Sequence, residues 1–150
     1  MTACSVALII PSTVQAIQRG TTADTRDIAK SWIEQHVARG SRVALEQYSP
    51  PISRDDYQVF IEVKGELQKD ASTSGFKGVL GDVRMPDALR EKAIQYVVIT
   101  GWFERFQAQK EHYPDLVRSY EGLLASADLL YEVAPTETVR GPMIRVLKLR

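Results

Sequence analysis

Residues 24–51 read DTRDIAKSWIEQHVARGSRVALEQYSPP, and this stretch decides the fold. Asp24 suits a helix N-cap, and Asp27 adds negative charge to the first turn, where the helix dipole favours it. Ile28, Ala29, Trp32, Ile33 and Val37 recur at helical spacing and form one apolar stripe, while Arg26, Lys30, Glu34 and Gln35 fall on the wet side. Gly40 stands where a left-handed C-terminal residue is expected. Val43, Ala44 and Leu45 then begin a short strand that ends near Tyr48. Pro50 and Pro51 have no N–H to give to a sheet, so the strand stops there. A helix followed at once by a strand is the first unit of a layered α/β domain.

The pattern repeats outward. Tyr57, Val59, Ile61 and Val63 alternate with Gln58, Phe60, Glu62 and Lys64, which predicts a strand. Residues 69–77 predict a loop rich in Ser, Thr and Gly, after which Leu80 and Val83 return to the core. Pro86 and Asp87 open a helix carrying Ala88, Leu89 and Ala93. Residues 94–100, IQYVVIT, predict a central strand covered on both faces, because the run is nearly continuous and β-branched or aromatic. Gly101 breaks it, and Trp102, Phe103 and Phe106 predict a short helix carrying Arg105. Pro114 opens another helix with Leu116, Val117, Tyr120, Leu123 and Leu124 on one face. Strands are predicted at 129–133 and 143–149, joined by a polar turn at 136–142. The expected architecture is an α/β layered sandwich: a mostly parallel sheet, helices on both faces and a C-terminal antiparallel hairpin, in a single domain over 21–150.

Composition bounds the function. A chain of 150 residues with 44% hydrophobic content can bury a core of its own. Lys plus Arg equals Asp plus Glu at 19 each, so the basic excess of a nucleic-acid footprint is missing and no nucleic-acid partner is expected. The single cysteine, Cys4, excludes an internal disulfide. Residues 1–20 form an apolar N-terminal segment: residues 3–10 are apolar, Pro11 interrupts, and Val14, Ala16 and Ile17 continue to Arg19. The run is shorter than the ~20 residues a spanning helix needs, and it lacks the basic start of a signal peptide. Two readings stand: a partly buried terminal helix, or the end of a transmembrane helix.

The usual chemical motifs are missing. Tyr48-Ser49-Pro50-Pro51 follows the first strand where a dinucleotide fold would carry its glycine-rich loop. Gly75, Gly78 and Gly81 lack both a leading strand and a Lys-Ser/Thr pair. His36 and His112 have no partner at ligand spacing, so neither a metal nor another cofactor is expected, and there is no G-x-S-x-G elbow. Asp55 and Asp56 are adjacent before a strand and point apart, as befits a solvated turn. One constellation remains. The carboxyl ends of the two best strands carry Glu46 and Tyr48 on one side and Thr100, Trp102 and Arg105 on the other. Open α/β sheets bind ligands there, and an aromatic ring with a carboxylate and a guanidinium suits a sugar or a phosphate. The bland counterpart is Trp102 as a packing anchor with Glu46 and Arg105 in a surface ion pair.

Read together, D-T-R at 24–26, A-x-x-W-I at 29–33, G-S-R-V-A-x-E-x-Y-x-P at 40–50, V-I-T-x-W-x-x-R-F at 98–106, Y-P at 113–114 and G-P-x-I at 141–144 resemble a membrane-enzyme domain. It is the C-terminal extracytoplasmic domain of polytopic membrane glycosyltransferases, relatives of the protein mannosyltransferases and the aminoarabinose lipid A transferases. The resemblance spans nearly all of 24–149. It implies a membrane-associated chain on the periplasmic or exterior face, entered from a last transmembrane helix. It also implies that the catalytic carboxylate and the polyprenyl-phosphate-sugar site lie in the membrane part of a longer parent. The chain would then be a non-catalytic accessory domain, inactive alone, that covers the acceptor side. Its partners would be that membrane part or another helix, met through residues 3–17, with the donor or acceptor nearby. The rivals are a free-standing α/β module for a sugar phosphate or nucleotide, and a structural domain that docks a partner helix.

Overall fold

The structure is a computed structural model and describes residues 22–71, 78–82 and 85–150. The first α-to-β unit forms as its local chemistry dictates. Asp24 closes the two-residue strand β1 (Ala23–Asp24) in extended backbone and caps helix α1 (Thr25–His36) by accepting the Arg26 backbone N–H at 2.8 Å. The Arg26 guanidinium folds back onto the same carboxylate at 2.7 Å, and this bonding holds Asp24 down at about 2. Ala29, Ile33 and Val37 are buried as the stripe requires. Gly40 departs from expectation: the helix stops at His36 and Val37 is already extended, so Gly40 is not its terminal residue. Its positive φ of 84° serves the next turn, in which its N–H donates to the Asp56 carbonyl at 2.7 Å.

The chain continues through β2 (Arg42–Leu45), β3 (Gln58–Val63) and β4 (Glu66–Lys69), a 3-10 turn (Leu80–Asp82), and α2 (Asp87–Glu91). Then come β5 (Tyr96–Thr100), α3 (Trp102–Gln107), α4 (Pro114–Ala125), β6 (Ala127–Val133), β7 (Val139–Arg140) and β8 (Ile144–Leu149). Six strands make one sheet in the order β4-β3-β2-β5-β8-β6, and β1 pairs with β7 in a second, two-stranded one. The faces separate by alternation. Val43, Leu45, Ile61, Val98 and Val146 pack with Ile33 of α1 on one side. Ala44, Phe60, Val97, Ile99 and Leu147 pack with Leu89, Phe106, Tyr120 and Leu123 of α2, α3 and α4 on the other.

The fold is therefore a mixed α/β sandwich, and the expected mostly parallel sheet is corrected. Only β2–β3 and β2–β5 are parallel; β3–β4, β5–β8 and β6–β8 run antiparallel. Two causes account for it. Lys64 and Gly65 both take positive φ, 55° and 83°, the geometry of a two-residue hairpin turn, and they fold the chain straight back into β4. Lys69 thus belongs to a strand, not to a loop. At the other end β8 inserts between β5 and β6 and runs against both, so the C-terminal hairpin becomes half of the sheet's antiparallel part. The predicted polar turn at 136–142 also contains β7, which lies parallel to β1. Helix α2 ends at Glu91, two residues before Ala93, whose φ is 49°.

Residues 1–20, most of the predicted loop at 69–77, and Val83 lie outside the described residues. Among the described residues no helix is long and apolar enough to cross a membrane.

Candidate functional site

Strands β2 and β5 run side by side and in the same direction, so their carboxyl ends open onto one place. Glu46 follows β2 directly, and its backbone N–H still donates to Val98 of β5 at 3.1 Å. Its side chain is 1% exposed and turns toward the face covered by α4. There the carboxylate receives the Thr100 backbone N–H at 2.7 Å, the Leu80 backbone N–H at 3.2 Å and the Tyr120 hydroxyl. The Thr100 hydroxyl lies 3.1 Å from the same carboxylate and 3.0 Å from the Gln47 carbonyl. A hydroxyl has one proton. When the Thr100 proton goes to the Gln47 carbonyl, its oxygen can accept a proton carried by Glu46. Burial pushes Glu46 up to about 7, against the lowering effect of its hydrogen bonds from Tyr120, Thr100 and Leu80. Burial, and then the Glu46 charge, push the Tyr120 phenol up in turn.

Above this sealed carboxylate the surface is aromatic. Tyr48 is 56% exposed and holds a φ of 69°, uncommon for a non-glycine residue. Its ring lies 6.4 Å from that of Trp102 at 18°. Trp102 stacks on Phe106 at 5.7 Å, and Phe106 meets Tyr113 edge-on at 5.1 Å. The Arg105 guanidinium sits 4.8 Å over the Trp102 ring, a cation–π contact. Spacing on α3 explains the cluster, because Trp102, Arg105 and Phe106 are three and four residues apart. Beside Tyr48 lies a cleft of about 510 Å³ lined by Leu45, Ser49, Ile52 and Arg54 among others.

The four sequence-predicted residues therefore divide. Tyr48 and Arg105 are exposed, and half-buried Trp102 stacks beside them while also packing against the core as an anchor. Glu46 lies beneath them and pairs with Tyr120 and Thr100, not with Arg105. Sequence reading missed Tyr120 as its partner, since that residue sits among the apolar residues of α4 and nothing local marks its hydroxyl. It also missed Arg54, which lies in an ordinary polar turn. Gly75 lies outside the described residues, and several of the other candidates have structural positions. The His36 ring stacks on Trp32 at 4.5 Å, with Nδ1 2.8 Å from the Trp32 carbonyl. Gly81 lies under the Tyr120 ring, where a Cβ would come within 2.6 Å of it. Asp56 pairs with Arg39 at 3.5 Å. Among the described residues no group of three His, Cys, Asp or Glu side chains is arranged to hold a metal ion.

Fold and surface together define a mixed α/β domain with an aromatic, cationic patch at the carboxyl ends of its parallel strands. No family model, curated protein or solved structure matches the chain significantly.

Proposed function

We propose that the chain is the non-catalytic extracytoplasmic accessory domain of a membrane glycosyltransferase that uses polyprenyl-phosphate-sugar donors. One observation carries this reading: the segments that bear the resemblance hold one another in space. D-T-R and G-P-x-I meet at one corner. There Asp24 lies opposite Arg140, the residue before the motif, in the β1–β7 strand register, and Gly141 lies so close to Thr25 that a Cβ would come within 2.1 Å of its hydroxyl. G-S-R-V-A-x-E-x-Y-x-P and V-I-T-x-W-x-x-R-F meet at another, through Glu46 with Thr100 and Tyr48 with Trp102. Residues scattered along the chain thus form two joints of one framework, as expected if the motifs belong together and specify this domain. The sealed Glu46 carboxylate serves such a joint and not a reaction. In the proposed parent, the residues before Ala23 lead to the bilayer, and the sheet-end surface faces the acceptor side.

The reading is tested at two points. Sequencing the DNA immediately upstream of the Met1 codon should reveal an in-frame run of hydrophobic segments; a stop codon with no such frame overturns it. The purified chain, given polyprenyl-phosphate mannose and an acceptor, should transfer nothing; turnover by the chain alone overturns the non-catalytic assignment.

A further inference from the structure

We infer that the surface centred on Tyr48 is a binding site for a sugar carrying a phosphate group. The inference concerns the domain's own surface and does not depend on the membrane reading. Tyr48 belongs to two features: its ring stacks with that of Trp102, and the residue also lines the 510 Å³ cleft. Each feature carries a guanidinium, Arg105 over Trp102 and Arg54 in the cleft. Arg26, Arg39, Arg90, Arg118, Arg145 and Arg150 are each paired with a carboxylate. Among the described residues Arg42, Arg54, Arg105 and Arg140 have no such partner, and of these Arg54 and Arg105 lie on the two features that Tyr48 joins; Arg54 spends one N–H on the Ala71 carbonyl at 2.9 Å. One guanidinium thus lies over the ring that stacks with exposed Tyr48, and a second lines the cleft that Tyr48 shares.

The chemistry of the occupant follows. The C–H groups of a pyranose ring carry slight positive charge and lie well on the negative face of an aromatic ring. A guanidinium presents paired N–H donors that match phosphate oxygens. The cleft volume falls in the range of small-molecule sites, roughly 300–1,000 Å³. The backbone argues against a nucleotide di- or triphosphate, which needs a cradle of free N–H groups. Here the Gln47 N–H goes to the Gly78 carbonyl, Ser49 N–H to Glu46 and Ile52 N–H to Pro50, and Pro50 and Pro51 have none. The anion must be held by side chains, which suits a single phosphate on a sugar, free or at the end of a lipid.

The test uses the full chain with Trp32→Phe, which leaves Trp102 as the one tryptophan. Its fluorescence is titrated with glucose 1-phosphate, mannose 1-phosphate, polyprenyl-phosphate mannose in detergent micelles, free glucose, inorganic phosphate and UDP. We expect a saturable change with a sugar phosphate, weakened at least about tenfold by Arg105→Gln, Arg54→Gln or Tyr48→Ala. Free glucose and inorganic phosphate should bind at least about tenfold more weakly. Tighter binding of the micellar form identifies the lipid-linked source, and tighter binding of the free sugar phosphates identifies the soluble one. The inference is overturned by no saturation with any sugar phosphate, by equal affinity for inorganic phosphate, by tighter binding of UDP, or by unchanged affinity in both arginine variants. Should Tyr48→Ala disturb folding, as circular dichroism would show, the two arginine variants decide.

Discussion

The Tyr120 hydroxyl of α4 donates to the buried carboxylate of Glu46 at the end of β2, across 74 residues of sequence. The contact ties the helix layer to the carboxyl ends of β2 and β5, because the same carboxylate holds the Thr100 and Leu80 backbone N–H groups. Immediately above it lies the Tyr48–Trp102 surface.

Stability should fall as pH rises from about 4.5 to about 7. Glu46 is raised from its ordinary 4.5 to about 7. Below about 4.5 it is protonated in both folded and unfolded chains and carries no penalty. Between 4.5 and 7 the folded chain keeps a proton that the unfolded chain has lost, so stability declines with pH. Above 7 the loss is complete, on the order of 3 kcal/mol. Urea unfolding at pH 5 and pH 8 measures it. In Glu46→Gln this part of the slope should vanish. The variant should also lose roughly 1–3 kcal/mol at pH 5, because an amide offers one acceptor oxygen where N–H groups address both. An unchanged slope in Glu46→Gln would show that other groups set the pH dependence.

Tyr120→Phe keeps the ring that packs against Phe103 at 5.5 Å and removes only the hydroxyl. The lost bond favours the charged form of Glu46. The variant should therefore cost more at pH 8, about 2 kcal/mol, than at pH 5, about 1 kcal/mol. The same unfolding curves read this difference, and equal costs at the two pH values would refute it.

Gly141 and Gly101 should respond very differently to alanine. Gly141 has a φ of 114°, and a Cβ there would lie 2.1 Å from the Thr25 hydroxyl and 2.9 Å from the Asp24 carboxylate. Gly141→Ala should lower stability by more than about 2 kcal/mol and loosen the N-cap of α1. Gly101 has nothing within 4 Å of its added Cβ and an ordinary φ of −69°, so Gly101→Ala should change stability by less than about 0.5 kcal/mol. Thermal unfolding of the two variants checks both magnitudes.

Arg145 of β8 bridges two carboxylates, Glu132 of β6 at 2.5 Å and Glu104 of α3. Its side chain is 18% exposed. Arg145→Ala would leave two like charges facing each other with no cation between them, at a cost of about 2 kcal/mol. Lys at this position should recover only part of the loss, since one ammonium lacks the fork that reaches both acids. A double variant, Arg145→Ala with Glu104→Gln, should be more stable than Arg145→Ala alone; if it is not, the repulsion is unimportant.

The legible parts of the chain were those governed by neighbours a few residues away. The Asp24 cap, the α1 stripe, the buried run of β5 and the proline start of α4 all follow from capping, periodicity and β-branching. The Lys64-Gly65 hairpin was also local, but the alternation running through Lys64 masked it as a continuing strand. The surface cluster was partly legible, because Tyr48, Trp102 and Arg105 sit at strand ends or at helical spacing.

The sequence by itself determined the main helices and the strands β2, β3, β5, β6 and β8, though not β4 or β7, and it determined which faces are apolar. These are short-range matters, set by backbone sterics and hydrophobic periodicity. Only the tertiary structure decided that β8 inserts between β5 and β6, that the sheet is mixed, and that Arg54 joins the Tyr48 surface. It also decided that Glu46 turns inward to Tyr120 and leaves Arg105 to Trp102. The physical reason is that a carboxylate at a strand end can face solvent or core with the same local sequence. What tips it inward here is a set of N–H and O–H donors supplied by Leu80, Thr100 and Tyr120, residues that come within reach only when the whole sheet has formed.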